Sequence, residues 1–530
     1  MPNLPLQELP IGIQDFDKLR EKNCLYVDKT ELLYQLITTG SSYFLSRPRR
    51  FGKSLMISTL EMIFKARKDL FENTWILSDP KAANYDWKEY PVIRIDMGEI
   101  SKKSEGNLEQ ALLKAVLNIA SQYQIVLPEP LIDSASALSS LIQGLVAAKK
   151  TRVAVLIDEY DKPILDNILD EKKAGEIREI LRYFYTIFKS QDGNLQFLML
   201  TGVTKFSKVS IFSGLNHPDD LTMTDKYSSL LGYTQSELEA VFMPRVENLA
   251  QKFGTSLQAQ LAKIKEWYNG YQFSAEGIPV YNPFSVLRLF QHLHYKAHWF
   301  ETGSPSFLMK LLKAETFQVE RLNELVVSDE ALDMSDISHL EFIALLYQTG
   351  YLTIKSYDRE YRAYTLGYPN LEVKIAFSDV LLNTFSSVPS AESTDLFINM
   401  NQALRAGNYT LFFEVLKSFI ASIPYTQFVK MKERDFQTVL FLIFTLLGYR
   451  MSLEVHTSRR RLDAVLELPD GFCIFEYKVD QSAEVALAQI KEKQYFQPYL
   501  HRNKKIHLFG INFSSEERNI NQWIHEEWKD

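Results

Sequence analysis

Cysteine is nearly absent. The 530-residue chain has two, Cys24 and Cys473. That excludes a disulfide-stapled scaffold and leaves too few thiols for a zinc finger. The expected setting is a reducing cytoplasm. Long apolar runs are missing too. None reaches the ~18 residues of a bilayer-crossing helix, so no membrane partner is expected. The start, MPNLPLQELP, has no basic stretch followed by an apolar one and does not read as a signal peptide. Positive charge is not in excess: 59 Lys and Arg face 66 Asp and Glu, for a formal net charge of −7. This argues mildly against an all-over nucleic-acid binder, while a local basic groove remains open. Arg459-Arg460-Arg461 and His501-Arg502-Asn503-Lys504-Lys505 are such local concentrations. There is no internal repeat and no low-complexity tract.

What is present is an ordinary globular mixture, 46% hydrophobic, 13% aromatic and 24% charged. The length exceeds one core, so about two to four domains are expected. From about 41 to 205, strands alternate with helices. Ser42–Ser46, Val92–Asp96, Val153–Ile157 and Leu195–Leu200 read as strands. Helical periodicity covers Ser54–Arg67, 106–123, 135–149 and 174–189. Buried strands separated by helices predict a parallel sheet covered by helices. Thr234-Gln235-Ser236-Glu237 is a capping box opening a helical lid. Near 345–354 a helix, a Gly turn and a strand succeed one another, and Tyr361–Leu366 reads as the returning strand of a winged helix. The last part opens with a helix over Glu433–Leu447. Strands Arg450–Val455, Arg461–Leu468 and Phe472–Tyr477 follow, with a hairpin turn at Pro469-Asp470-Gly471. A helix over about 482–500 and a strand Ile506–Phe513 complete an α/β unit. The expected divisions are 1–220, a parallel-sheet α/β core; 221–300, a lid; 301–424, a helical linker with a winged helix; and 425–530, a smaller α/β domain.

Two constellations carry chemistry. The first is Arg47-Pro-Arg-Arg-Phe-Gly-Lys-Ser54, between a strand and a helix. It keeps the end of the phosphate-loop pattern G-x-x-x-x-G-K-[ST], with Arg47 in the first Gly position. Gly52, Lys53, Ser54 and Leu55 are expected around a nucleotide. Lys53 would reach the β- and γ-phosphates, and the Ser54 hydroxyl would hold Mg²⁺. Arg49 and Arg50 face phosphate, solvent or the preceding segment, and spacing alone does not choose. About a hundred residues on, Val153–Ile157 runs into Asp158-Glu159. The first carboxylate suits Mg²⁺ and the second suits the attacking water. Thr201 and Thr204, at the end of the next strand, either orient that water or satisfy turn backbone groups.

The second constellation is Asp463 and Glu476-Tyr477-Lys478. A charge mid-strand is costly unless ligated or paired. Glu476 and Lys478 lie two apart and share a strand face, and a hairpin brings Asp463 to them. Two carboxylates and a lysine on one face suit a divalent cation and a phosphodiester. A cross-strand ion pair on a wet face is the plainer reading. Glu433 either adds a metal ligand or complements a helix N-terminus. Gln489 either orients the site or is an exposed helix position. Tyr477, Tyr495, Phe496 and Tyr499 serve base stacking or, for most of them, core packing.

With both sites in view, the chain resembles a two-part bacterial family, the AAA-ATPase-like proteins with a C-terminal PD-(D/E)xK nuclease domain. The resemblance rests on Leu9-Pro-Ile-Gly-Ile-Gln-Asp-Phe-Asp-Lys-Leu-Arg20, Tyr26-Val-Asp-Lys-Thr30 and the loop Arg47–Ser54. It also rests on Asp158-Glu-Tyr-Asp-Lys-Pro163, Thr201-Gly-Val-Thr-Lys-Phe-Ser207, Trp267-Tyr-Asn-Gly-Tyr271, Tyr281-Asn-Pro283 and Asp463…Glu476-Tyr-Lys478. It implies an ASCE-type P-loop fold close to the archaeal ATPase group, followed by a restriction-endonuclease-like α/β domain. It further implies that Asp158 and Glu159 are the Walker B pair. The nuclease Pro-Asp element is reduced to Leu462-Asp463. The expected cofactors are ATP and Mg²⁺, with Mn²⁺ as a substitute. The expected partner is nucleic acid, DNA ahead of RNA, and a homo-oligomer is compatible. The leading expectation is an ATP-regulated, metal-dependent nuclease acting on mobile DNA. The second is a nucleotide-dependent switch that binds nucleic acid or protein without cutting. The third is an interaction protein with both sites inactive.

Overall fold

A computed structural model describes the chain outside residues 1–5, 104–106, 130–132, 169, 206–217, 300–321, 323, 334–341, 387–389, 424–432, 457–460, 469, 503 and 529–530. The chain divides into two compact units, Met1–Gly303 with Glu324–Val373, and Ser304–Asn323 with Lys374–Asp530.

The first unit is built on strands β1 (Ser42–Ser46), β2 (Val92–Asp96), β3 (Val153–Asp158), β4 (Leu195–Gly202) and the short β5 (Asp219–Asp220). Their order is β2-β3-β4-β1-β5, and every pairing is parallel. β3 is buried along its whole length, which is why its sequence is an unbroken apolar run. Helices α1 (Lys53–Phe64), α2 (Leu108–Gln122), α3 (Ser134–Lys149) and α4 (Glu171–Ser190) connect the strands. The side chains of Asn107, Asp133 and Asp170 each accept a backbone N–H in the first turn of α2, α3 and α4. In α2 the buried residues Leu108, Leu112, Val116 and Ala120 recur every fourth position. They join Phe44, Ile93, Leu138, Val155, Phe184 and Leu198 in the main core. Each Leu, Val, Ile or Phe among them contributes about 1.5–3 kcal/mol by leaving water. β4 lies between β1 and β3, so the residues after β1, β3 and β4 meet at one edge of the sheet.

After the sheet, α5 (Gln235–Phe253), α6 (Leu257–Tyr268) and α7 (Pro283–His292) pack with Leu25 and Val27 of the N-terminal segment around Phe242, Val246, Ile264 and Leu289. The capping box is formed at Thr234 and Glu237. Lys29, from Tyr26–Thr30, reaches Glu237 at 2.7 Å and ties that segment to α5. Strand β6 (Leu325–Ser328), helix α8 (Phe342–Thr349) and strands β7 (Thr353–Asp358) and β8 (Ala363–Gly367) complete the unit as an antiparallel sheet in the order β6-β8-β7. The expected helix, Gly turn and returning strand are present there. α8 is buried from Phe342 to Thr349 except at Ile343, which is half-buried.

The second unit holds α9 (Tyr409–Ala421), α10 (Glu433–Leu446), β9 (Arg450–His456), β10 (Arg461–Glu467), β11 (Gly471–Val479), α11 (Ala483–Lys493), β12 (Lys505–Ser514) and β13 (Asn519–Trp528). The sheet order is β13-β12-β11-β10-β9. β11 and β12 are parallel, joined through α11, and the other pairs are antiparallel. Two features differ from the sequence reading. α11 stops at Lys493 because Gln494 turns left-handed at φ 52, and a short 3-10 helix covers Gln497–Arg502. β13 was not anticipated. It is a polar edge strand whose alternation is blurred, with a register shift opposite Asn512 and Phe513.

Candidate functional site

In the first unit, the chain turns from β1 into α1 through the phosphate-type loop. Gly52 adopts φ 96, a left-handed conformation that a Cβ would oppose. Lys53 is almost fully buried, and its Nζ donates to Arg47 O at 2.8 Å and Pro48 O at 2.9 Å. Burial pushes its pKa down, and Asp158, Glu159 and Asp161 pull it back up. Ser54 and Leu55 are half-buried at the start of α1. Leu55 lines a cavity of about 70 Å³ with Tyr26, Val27, Met56, Leu230 and Gly232.

The loop arginines divide. Arg47, in the first Gly position, is buried and faces away from the loop's interior. Its Nη1 donates to Ser46 O at 2.9 Å and Thr222 O at 2.7 Å. Its guanidinium lies 4.2 Å from the centre of the Phe273 ring, and burial lowers its pKa to about 10. Arg49 is half-buried, and its carbonyl accepts Trp299 Nε1 at 3.1 Å. Arg50 is exposed, with φ 68, and its guanidinium lies 5.0 Å from the Phe284 ring centre.

Opposite the loop stands a carboxylate group. Asp158 ends β3, buried, and accepts Thr201 Oγ1 at 2.6 Å. Glu159 follows with φ 54. Its pKa is raised, first by burial and then by Asp158 and Asp96, while Lys53 opposes the shift. Asp96, the residue of β2 in register with Asp158, accepts Gly98 N at 2.8 Å and has a pKa raised mainly by burial. Asp161 is buried and accepts the hydroxyl of Thr204 at 2.6 Å. Both threonine hydroxyls are thus directed to aspartates. Sequence reading singled out neither Asp96 nor Asp161 individually. The signal for Asp96 was an apolar strand ending in Asp, as at Asp158.

In the second unit, the β10–β11 register pairs Ala464 with Phe475. Asp463 and Glu476 lie one step further, on the opposite face from that pair, and Lys478 shares the face of Glu476. Asp463 Oδ2 accepts Tyr477 N at 2.8 Å. Lys478 Nζ donates to Glu476 Oε1 at 2.9 Å, and Gln489 Nε2, from α11, donates to the same oxygen. Glu476 Oε2 is buried with no hydrogen-bond partner. Burial and then Asp463 push the Glu476 carboxyl up to about 7, against the pull of Lys478. The backbone of Glu433 opens α10, but its side chain lies outside the described residues, as do Arg459, Arg460, Phe206 and Ser207. Arg502 and Lys504 lie over the Phe472 ring. Tyr477, Tyr495 and Phe496 are buried and Tyr499 is half-buried, so core packing accounts for the first three.

Both sites offer oxygen donors, as a hard divalent cation prefers. An orphaned buried carboxylate oxygen at Glu476 is a group that a cation would satisfy. Among the described residues, no three His, Cys, Asp or Glu side chains converge as a metal-holding group. A cation at either site would therefore keep several waters, which is the habit of Mg²⁺.

A parallel sheet with a phosphate-type loop, joined to a mixed sheet with an acidic–lysine face, defines an ATPase-like chain with a nuclease-superfamily end. Residues 10–212 match the family model described as "Predicted AAA-ATPase", and residues 431–523 match the PD-(D/E)XK nuclease superfamily. A protein of Azotobacter chroococcum mcd 1, described as "Uncharacterized protein in vnfD 5'region", is 37% identical over 530 positions, spanning 97% of this chain and 98% of that protein. The chain belongs to this family of AAA-ATPase-like proteins with a C-terminal PD-(D/E)XK domain. Among the described residues, no helix is long and apolar enough to cross a membrane.

Proposed function

We propose that the chain binds and hydrolyses ATP in its first unit and hydrolyses phosphodiester bonds of nucleic acid in its second, with DNA ahead of RNA as substrate. The observation that carries the reading is Glu476. It is a buried carboxylate with one oxygen bonded by Lys478 and Gln489 and the other left bare beside Asp463. A cross-strand ion pair alone gives no reason for the bare oxygen.

At the first site Lys53 would leave the loop carbonyls for the nucleotide phosphates. Glu159 would accept a proton from the attacking water, a role that its raised pKa suits. Arg49 remains the loop arginine available to phosphate, since Arg50 is turned to Phe284. At the second site Lys478 would face the scissile phosphate, and Gln489 would hold Glu476 in place. A divalent cation, Mg²⁺ or Mn²⁺, would be held by Ser54 and Asp158 at the first site and by Asp463 and Glu476, with Glu433, at the second; it would neutralise phosphoryl oxygens and acidify bound water. The division at 220, 300 and 424 serves as the working domain map, and the cytoplasm as the working location.

The test is cleavage of plasmid by the full chain with Mg²⁺, against Asp463→Ala. Cleavage by the wild type alone supports the reading. Equal background from both proteins removes it. In the cell the reading corresponds to action on mobile DNA, measured as plasmid entry with and without Asp463→Ala. The alternative, a switch whose C-terminal domain binds nucleic acid or protein without cutting, predicts ATP-dependent, salt-sensitive binding with no cleaved product in the same assay.

A further inference from the structure

Asp161 precedes the short helix Lys162–Leu165 but does not cap it with its side chain. Its carboxyl turns instead to the end of β4. Oδ2 accepts Thr204 N at 2.7 Å, Thr204 Oγ1 at 2.6 Å and Val203 N at 3.1 Å, and Oδ1 accepts Val203 N at 3.3 Å. The residue is 1% exposed. A carboxyl withdrawn that far from water persists only when its oxygens are well bonded. Two more bonds run alongside, from Tyr160 N to Thr201 O at 2.9 Å and from Tyr160 Oη to Thr204 O at 3.0 Å. On the other flank of Glu159, Thr201 Oγ1 donates to Asp158 Oδ1 at 2.6 Å. One strand end therefore grips the chain on both sides of Glu159. Glu159 itself sits at φ 54, where a side chain opposes the backbone. Such a conformation survives only where the surroundings over-determine it, and it is common where a group must be presented in one way.

We propose that Asp161 is a positioning residue of the ATPase site, holding Glu159 in its left-handed turn by gripping Val203 and Thr204. This rests on the reading of Glu159 as the group that acts on the attacking water. Asp161 has no direct role with the nucleotide. Burial alone would favour its neutral form, and the bonds from Thr204 counter that. Asp161→Asn either points its amide N–H groups at Thr204 N and Oγ1, or keeps its oxygen there, sets an N–H against Val203 N and loses the charge that strengthens the remaining bonds; either way the grip weakens with little change in volume.

The experiment uses the full chain as wild type, Glu159→Gln, Asp161→Asn, Thr204→Val and the Asp161→Asn/Thr204→Val pair. ATP turnover, affinity for a non-hydrolysable ATP analogue and thermal unfolding are measured for each. Asp161→Asn is expected to lose about 10²-fold in kcat, the usual effect of misplacing a reacting group by about 1 Å, with analogue affinity unchanged. Thr204→Val removes a single bond and loses less. The pair is no worse than Asp161→Asn alone, because both act through one contact. A merely structural role would lower analogue affinity and unfolding temperature together with kcat, which would overturn the proposal. So would Asp161→Asn and Thr204→Val turning over at the wild-type rate. Should Asp161→Asn not fold, Thr204→Val decides: reduced kcat with intact affinity supports the proposal, and a wild-type rate overturns it. A wild type no faster than Glu159→Gln overturns the ATPase reading, and the proposal with it. An active wild type matched by Asp161→Asn overturns the proposal alone.

Discussion

At the scale of single residues, Arg47 and Glu476 each invert a simple expectation. Arg47 stands where a generic phosphate loop has Gly. Its guanidinium satisfies Ser46 O and Thr222 O and covers Phe273. Arg47→Gly would restore the generic pattern yet strip bonds from buried carbonyls. It is expected to destabilise the protein by about 3 kcal/mol, read as a lower midpoint in urea. Glu476 carries a pH signature. Its folded pKa is raised to about 7 from 4.5. The folded state therefore keeps the proton to higher pH than the unfolded state does. The stability it contributes is complete below the unfolded pKa and is lost as pH rises through the folded one. Glu476→Gln avoids that loss. Without divalent cation, the variant should match the wild type below about pH 4 and exceed it by about 3 kcal/mol above about pH 7. Urea unfolding at pH 4 and pH 8, with a chelator present, makes the comparison. The types of these residues were legible in sequence. Their surroundings were not, because the groups that bury Arg47 come from positions more than 170 residues away.

Elements show where local pattern sufficed and where it did not. The capping box at Thr234, the buried strand β3 and the β10–β11 hairpin follow from neighbours in sequence, and all are formed. β13 escaped because an edge strand needs no strict alternation. The close seat of α11 on β12 depends on Gly510, opposite Glu476 in the sheet. A Cβ there would collide with Ala483 O and Leu487 N, which are backbone atoms unable to yield cheaply. Gly510→Ala is expected to lift α11, cost about 1–3 kcal/mol and withdraw Gln489 from Glu476. Lower thermal stability together with reduced cleavage would check it. The burial of α8 has its own consequence. Gln348 Oε1 accepts the backbone N–H of Lys205, just after β4, at 2.9 Å. Gln348→Ala should speed hydrogen exchange at the Lys205 amide by about fivefold, since one buried bond is worth about 1 kcal/mol.

For the whole molecule, the two sites belong to two units, and each has its own deletion. Lys53→Ala should abolish nucleotide binding by calorimetry and leave the secondary structure intact. Asp463→Ala should abolish cleavage and leave ATP turnover in place. If ATP regulates the nuclease, cleavage by Lys53→Ala will no longer respond to ATP. Sequence alone determined the alternation that makes a parallel sheet, the loop that opens α1 and the types of side chain at both sites. These are local matters of period, turn chemistry and charge at strand ends. Tertiary structure alone decided that Arg47 is buried against Thr222 and Phe273, that Thr201 and Thr204 give their hydroxyls to Asp158 and Asp161, and that Glu476 keeps a bare oxygen. Each of these depends on groups brought together from distant parts of the chain, and on how much water is left between them.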